Sequence, residues 1–261
     1  MQVEALRASL GATVEGLDLS QGIDPDSAAE LRTALLEHQV LIFPGLGLDD
    51  ERQLALAGVF GEPELHRLED EDNRDFDSVE GHPEILVLDD PAKNPANFWH
   101  SDATFRQQPP LGALLSVRAC PPRGGDTLWA STRNAHEELS EPVRRMISGL
   151  SAVHGHPPST SSAVHPVVRR HPETGRPSVF VNRGWTTRIE GLSRHESQAI
   201  LGMLFDHCER PEFSMRWSWS EGDAALWDNR CTLHYALRDY GSNYRRVHRI
   251  ALAGDRPRQE N

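Results

Sequence analysis

The chain has 261 residues, enough for one large domain with a substantial core, and its 38% hydrophobic and 25% charged content is that of an ordinary soluble globular protein. A formal net charge of −12 weighs against nucleic acid or an anionic membrane as a partner, because both reward a basic surface. No apolar run is long enough to span a bilayer, the N-terminus lacks the basic-then-apolar signature of a signal peptide, and Cys120, Cys208 and Cys231 have neither disulfide nor zinc spacing. The expectation is a cytoplasmic protein with a small-molecule partner.

In chain order, residues 26–38 predict an amphipathic helix with Asp26 as its N-cap. Val40, Leu41, Ile42 and Phe43 predict a short buried strand closed by Pro44 and Gly45. Residues 49–59 suggest a second helix ending at Gly61. The acidic segment 62–82, poor in aliphatics, reads as a long mobile loop of the kind that closes over a site. Residues 84–88 (EILVL) form a strand. From residue 98 onward, short apolar or alternating runs alternate with Gly, Pro and Asn: GALLSVRAC, DTLWAS, PSVFVN, FSMRWSW, AALWD, CTLHYA and RRVHRIALA. Many short strands with turn punctuation predict a sandwich or barrel. Two helices interrupt them, one around 140–148 and one over 194–208, where Ser193 and Glu196 form a capping box. The expectation is a mainly β fold with flanking helices, in one domain over 1–261.

Thirteen histidines raise the question of metal binding. In FWHSDATF, residues 98–105, side chains at i and i+2 of a strand share a face, so His100 and Asp102 would project together with Ser101 turned away. A third ligand must come from elsewhere, and His234 in CTLHYA is the best candidate. Two histidines and a carboxylate leave three positions open on iron(II), two for a chelating 2-oxo acid and one for O2. An HxD pair is short and recurs by chance, so it gains force only in company with groups that could bind the acid. In YRRVHRIAL, residues 244–252, alternation puts Arg245, Val247, Arg249 and Ala251 on one face. Arg245 and Arg249 then lie about 13 Å apart along the strand, each with a planar fork matched to a carboxylate. One could hold 2-oxoglutarate and the other an acidic group on the substrate. The competing reading of this segment is an edge strand with gatekeeping charges.

Together these residues resemble the taurine dioxygenase and 2,4-dichlorophenoxyacetate dioxygenase family of Fe(II)/2-oxoglutarate-dependent oxygenases. The resemblance covers nearly the whole chain: GATVEGLDLS, LLEHQVLIFPG, FWHSDATF, PPRGGDTLWAS, HPVVRRHPETGRPSVFVNRGWTTRI and WDNRCTLHYALRDY, followed by RRVHRIALAGDRP. It implies a double-stranded β-helix (jelly roll, cupin-like). It also implies His100, Asp102 and His234 as metal ligands, Thr127 and Arg245 as partners of the 2-oxoglutarate carboxylate, and Arg249 facing the sulfonate or carboxylate of the primary substrate. Trp185, Ala103 and His66 fall among the substrate-contacting positions. Ala96 stands where the taurine enzyme has an asparagine that contacts taurine, so the resemblance does not extend to taurine itself. Asp102 is present where related halogenases carry a small residue, which implies hydroxylation of a small anionic substrate with release of succinate and CO2. Desaturation, epoxidation or cyclisation by the same machinery, a zinc hydrolase and a non-catalytic binding module are the alternatives, and a homo-oligomer is the default assembly.

Overall fold

A strand covered on both faces reads as an unbroken apolar run, and VLIF is such a strand, with all four side chains buried. The computed structural model describes residues 1–65, 77–89, 96–155 and 161–259. The chain opens with strands β1 (Gln2–Ala5) and β2 (Ala12–Glu15), helix α1 (Pro25–His38), β3 (Val40–Phe43) and α2 (Asp50–Phe60). Strands β4 (Asp77–Val79), β5 (His82–Leu88), β6 (Gly112–Ala119) and β7 (Thr127–Ser131) follow, then helices α3 (Thr132–Glu138) and α4 (Glu141–Ile147). Strands β8 (Ser151–Gly155), β9 (Ser162–Pro166), β10 (Val168–Arg170), β11 (Pro177–Val179) and β12 (Thr186–Ile189) lead to α5 (Arg194–Cys208). Strands β13 (Ser214–Trp217), β14 (Ala224–Asp228), β15 (Thr232–Ala236), β16 (Arg246–Leu252) and β17 (Arg258–Gln259) complete the described chain.

Two sheets face each other. The larger runs β1-β2-β3-β14-β6-β16-β5-β4 and the smaller β13-β7-β15. Alternation along β3 decides what each side chain meets. Val40 and Ile42 point between the sheets, joining Leu115, Trp227 and Val247 of the large sheet and Trp129 and Met215 of the small one. Leu41 and Phe43 point the other way, onto Leu31, Leu35, Leu56 and Phe60 of α1 and α2. A third cluster, with Val168, Val179, Ile189, Leu201 and Leu204, joins the remaining short strands to α5. The paired sheets are the sandwich that the strand pattern predicts and the double-stranded β-helix that the resemblance implies.

Several local expectations need correction. The cap of α1 is Asp24, not Asp26: the Asp24 Oδ1 accepts from the backbone N–H of Ser27 at 2.9 Å and of Asp26 at 3.1 Å. Pro25 opens the helix, which places Asp26 in the first turn, where its charge complements the dipole. Helix α3 has no counterpart among the expected elements, because DTLWAS reads as a strand ending in a turn; Ser131 instead caps seven further residues. Residues 62–82 are not one loop. Residues 77–79 form β4, the short edge strand beyond β5, and charge on so short an edge strand hides it in composition. Residues 66–76, and with them His66, lie outside the described residues. Strand β16 is not an edge strand: it sits between β6 and β5. A register shift between Arg246 and Val247 also means that simple alternation from Val247 to Ala251 does not extend back to Arg245. Helix α2 ending at Gly61, and the Ser193–Glu196 capping box of α5, agree with expectation; Asp49, expected inside α2, is its cap.

The turn from β14 to β15 is held by buried charge. Asp228 accepts from Arg230 at 2.8 and 2.7 Å and pairs with His171 Nε2 at 2.9 Å, while Arg230 also reaches Glu173 at 2.7 Å. Burial alone would raise the Asp228 pKa, but the charge and hydrogen bonds of Arg230 and His171 outweigh it and hold the carboxyl well below the usual range. A depressed carboxyl pKa contributes stability above the unfolded-state value and loses it as pH falls. Asp228→Asn should therefore cost about 3–5 kcal/mol at neutral pH by leaving Arg230 half-paired. Thermal unfolding would show this as a lowered Tm, with the gap from the unsubstituted protein narrowing once the pH drops below the carboxylate range.

Candidate active site

The two candidate histidine ligands meet through their backbones. His100 and His234 form an isolated antiparallel bridge and exchange both hydrogen bonds, His100 N–H to His234 O at 3.1 Å and His234 N–H to His100 O at 2.7 Å. A directly opposed pair brings side chains close, and the ring centroids are 4.1 Å apart. Both residues are buried. The His100 Nδ1 lies 2.8 Å from Phe98 O; a carbonyl can only accept, so Nδ1 carries the proton and Nε2 keeps its lone pair. Burial lowers the pKa of both rings, that of His234 to about 3, so each is a neutral imidazole.

Asp102 joins them by a route that strand alternation does not describe. The segment is not a continuous strand: beyond the single bridge at His100 the chain enters a turn, and Ala103 adopts the left-handed φ of 48°. Ser101 does face away, donating from Oγ to Thr232 O at 2.7 Å. Asp102 Oδ1 lies 3.9 Å from His100 Nε2 and 3.6 Å from His234 Nε2. Burial would raise its pKa, but the charge of the adjacent Arg249 guanidinium outweighs that and keeps the carboxyl ionised. Donor atoms of His100, Asp102 and His234 all lie within 4.8 Å of one another. Two neutral imidazole nitrogens and one carboxylate oxygen are the donor set that suits iron(II) with open positions, so the residues fit the metal. Among the described residues His171, Asp228 and Cys231 form a second set of that size. There Asp228 is consumed by Arg230 and His171, and His171 Nδ1 already accepts from the N–H groups of Glu173 and Thr174. That set is structural.

The remaining candidates surround this centre. Arg249, on the inner face of β16 with Val247, places its Nη2 2.8 Å from Asp102 Oδ2, so the cation expected to meet substrate also neutralises the candidate carboxylate ligand. Near Arg249, Arg106 Nη1 lies 3.2 Å from Glu64 Oε2, and burial raises the Glu64 pKa against the pull of Arg106 and Arg249. Trp185 donates from Nε1 to Ser101 O at 2.9 Å and stands edge-on to His100, Phe98 and Phe105. The preceding Gly184 is required, because a Cβ there would collide with the Phe98 ring. Ala103, half-buried beside Asp102, contributes only a methyl group.

Thr127 opens β7 of the small sheet, and Arg245 immediately precedes β16 of the large one. Thr127 is buried, and its Oγ1 accepts from Trp219 Nε1 at 3.0 Å, which leaves its hydroxyl proton available for an acceptor. Trp219 is not among the residues expected from sequence, since nothing in its local spacing links it to Thr127. The Arg245 stem runs beside Gly125, which adopts a left-handed φ of 76°, with Cδ 3.5 Å from where a Cβ would lie. Burial lowers the Arg245 pKa, and among the described residues the guanidinium makes no ion pair or hydrogen bond with the protein. A half-buried guanidinium with no partner on the protein among the described residues, and a buried hydroxyl whose proton is free, are each groups that suit a carboxylate.

Residues 2–251 match the family described as taurine catabolism dioxygenase TauD, TfdA family. An alpha-ketoglutarate-dependent sulfate ester dioxygenase of Pseudomonas putida is 35% identical, over 98% of this chain and 91% of its own length. A crystal structure of a taurine dioxygenase from Burkholderia xenovorans superposes with a TM-score of 0.91 at 38% identity, covering 99% of this chain and 91% of that one. The crystal structure of AAD-2 in complex with Mn(II) and N-oxalylglycine superposes with a TM-score of 0.83 at 27% identity, covering 98% of each chain. The protein is a 2-oxoglutarate-dependent non-haem iron dioxygenase, with iron(II) as cofactor and 2-oxoglutarate and O2 as co-substrates. Within that class it belongs to the TauD/TfdA family. Among the described residues no helix is long and apolar enough to cross a membrane.

Proposed function

We propose that this enzyme hydroxylates a small organic molecule carrying a sulfate ester, sulfonate or carboxylate, with His100, Asp102 and His234 holding the iron. The observation that carries this reading is the His–Asp–His set with one guanidinium directly on it and a second, that of Arg245, whose stem runs beside Gly125 and which has no ion-pair partner among the described residues. The bound iron supplies oxygen activation coupled to decarboxylation of 2-oxoglutarate to succinate and CO2. Arg245 and the Thr127 hydroxyl bind the distal carboxylate of 2-oxoglutarate, and Trp219 orients that hydroxyl. Arg249 attracts the anionic head group of the substrate toward the metal. Trp185 and Ala103 form the adjacent wall, the first rigid and apolar, the second small enough to leave room. Hydroxylation at a carbon bonded to an ester oxygen yields a product that collapses to a carbonyl compound and the inorganic anion. The relative from Pseudomonas putida, named for sulfate esters, makes an alkyl sulfate the first substrate to try. The three free cysteines suit a reducing compartment, and we place the enzyme in the cytoplasm.

The test begins with an anaerobic titration of the metal-free protein with iron(II) and then 2-oxoglutarate, followed by visible absorption. A charge-transfer band should appear, and hexyl sulfate, a hexanesulfonate and phenoxyacetate are then screened for perturbing it and for succinate formation in air. Iron bound with no band would mean that 2-oxoglutarate does not chelate there. Arg249→Ala should keep the band but raise KM for the active anion roughly 30-fold or more, since removing one partner of a buried charge pair costs about 2 kcal/mol at least. Unchanged substrate dependence would remove Arg249 from the substrate site.

A further inference from the structure

Asp102 lies where the backbone ladder has already ended. The last ladder pair is His100 with His234, and at Ala103 the chain turns left-handed. Nothing in the strand pattern therefore fixes the peptide that carries the carboxylate. The side chain of Asn229 does so instead. Asp102 N–H donates to Asn229 Oδ1 at 2.6 Å, and Asn229 Nδ2 donates to Asp102 O at 3.1 Å. One amide thus makes the two reciprocal bonds that a neighbouring strand would make. The same Nδ2 donates to Pro110 O at 3.0 Å, so the orientation of the amide is determined: reversed, its oxygen would face two carbonyls. Asn229 is itself fully enclosed, at 1% exposure, and its N–H donates to Leu111 O at 2.9 Å. It sits in the β14–β15 turn between Asp228 and Arg230, whose ion pair makes that turn rigid.

We propose that Asn229 is the positioning residue of the metal centre: it acts through the Asp102 backbone to aim the carboxylate at the point the two histidines share. The inference rests on the ligand assignment above. None of the clamp's bonds uses a ligating atom, so the clamp operates whether or not metal is bound. A ligand carboxylate must be held to within about 0.5 Å for a productive site, and groups that orient ligands typically contribute ten- to a hundredfold in metal affinity.

The test is an anaerobic titration with cobalt(II) alone, read by visible absorption, on the unsubstituted protein, Asn229→Ala and a control. The control is Ser197→Ala, which deletes a comparable buried bond far from the centre, the 2.8 Å acceptance from Ile189 N–H. Asn229→Ala should weaken cobalt binding about ten- to a hundredfold and alter the ligand-field spectrum, while Ser197→Ala should shift affinity less than about twofold. Equal affinity in Asn229→Ala, or equal loss in both variants, would overturn the proposal. Failure of the unsubstituted protein to bind one cobalt would overturn the ligand assignment and the clamp together, and is recognisable because no variant is involved. Should Asn229→Ala not fold, amide exchange on the unsubstituted protein decides. The Asp102 amide should exchange at least about a hundredfold more slowly than the exposed Gly241 amide without metal, and zinc(II) should change it little. Protection that arises only with zinc would show that the metal, not Asn229, orders Asp102.

Discussion

Asp102→Ala is expected to reduce turnover by more than about a thousandfold, roughly 4 kcal/mol of lost transition-state stabilisation, and to abolish the charge-transfer band. The reason is twofold. Asp102 is the one anionic donor of the set, held ionised within 4 Å of both histidines. Its Oδ2 also neutralises Arg249 at 2.8 Å. With the carboxylate present, the pair carries no net charge; without it, an uncompensated guanidinium faces two neutral imidazoles, and an incoming dication meets repulsion as well as a missing ligand. Replacing Arg249 as well, in Asp102→Ala/Arg249→Ala, should therefore recover part of the metal affinity but none of the turnover. His100→Ala and His234→Ala should also be inactive, with less change in local charge. Succinate formation and iron content, measured together, check all four variants. A fully active Asp102→Ala enzyme would sink the ligand assignment.

Arg245→Met is expected to move stability and function in opposite directions. Among the described residues Arg245 has no acid partner, and burial already disfavours its charged form. A methionine of similar length fills the space without that cost, and because Arg245 is only half-buried the gain for the protein without 2-oxoglutarate should lie at about 1 kcal/mol, the low end of the range seen when buried ion pairs are replaced by apolar groups. The 2-oxoglutarate carboxylate would then be buried with only the Thr127 hydroxyl for company. Truncating one partner of a buried, hydrogen-bonded charge pair costs about 2–5 kcal/mol, which predicts a KM for 2-oxoglutarate raised by roughly 30-fold to several thousandfold. Iron binding should be unchanged, because Arg245 lies outside the metal set. A Tm measured without 2-oxoglutarate, set against the KM, makes the comparison. A lowered Tm together with an unchanged KM would mean that Arg245 is a structural residue with a partner on the protein side.

Much of the architecture is legible in the sequence because it depends on local chemistry. VLIF is a doubly covered strand whatever its neighbours, the Ser193–Glu196 box marks the start of α5, and many short apolar runs between turn residues can only stack as sheets. Expectation and structure part where local signals are weak or outcompeted. Two aspartates stand near the start of α1, and the proline between them selects the first as cap. Strand β4 is three residues long and charged, so only its pairing with β5 defines it. Alternation assigns the HxD pair its correct faces for the wrong reason, since a side-chain clamp, and not a strand, presents Asp102.

The amino-acid sequence by itself determined the kind of fold, the order of most of its elements and the chemical groups proposed for the centre: two histidines, one aspartate, one threonine and two arginines. Strand periodicity and the length of the shared motifs are enough for that, because both are properties of contiguous residues. Only the tertiary structure decided how those groups are disposed. The backbone bridge of His100 to His234, Asn229 on Asp102, Trp219 on Thr127 and Arg249 on the Asp102 carboxylate each join positions far apart in the chain. Such pairings have no signature in local spacing, since they exist only after loop closure and core packing have brought separate strands into register.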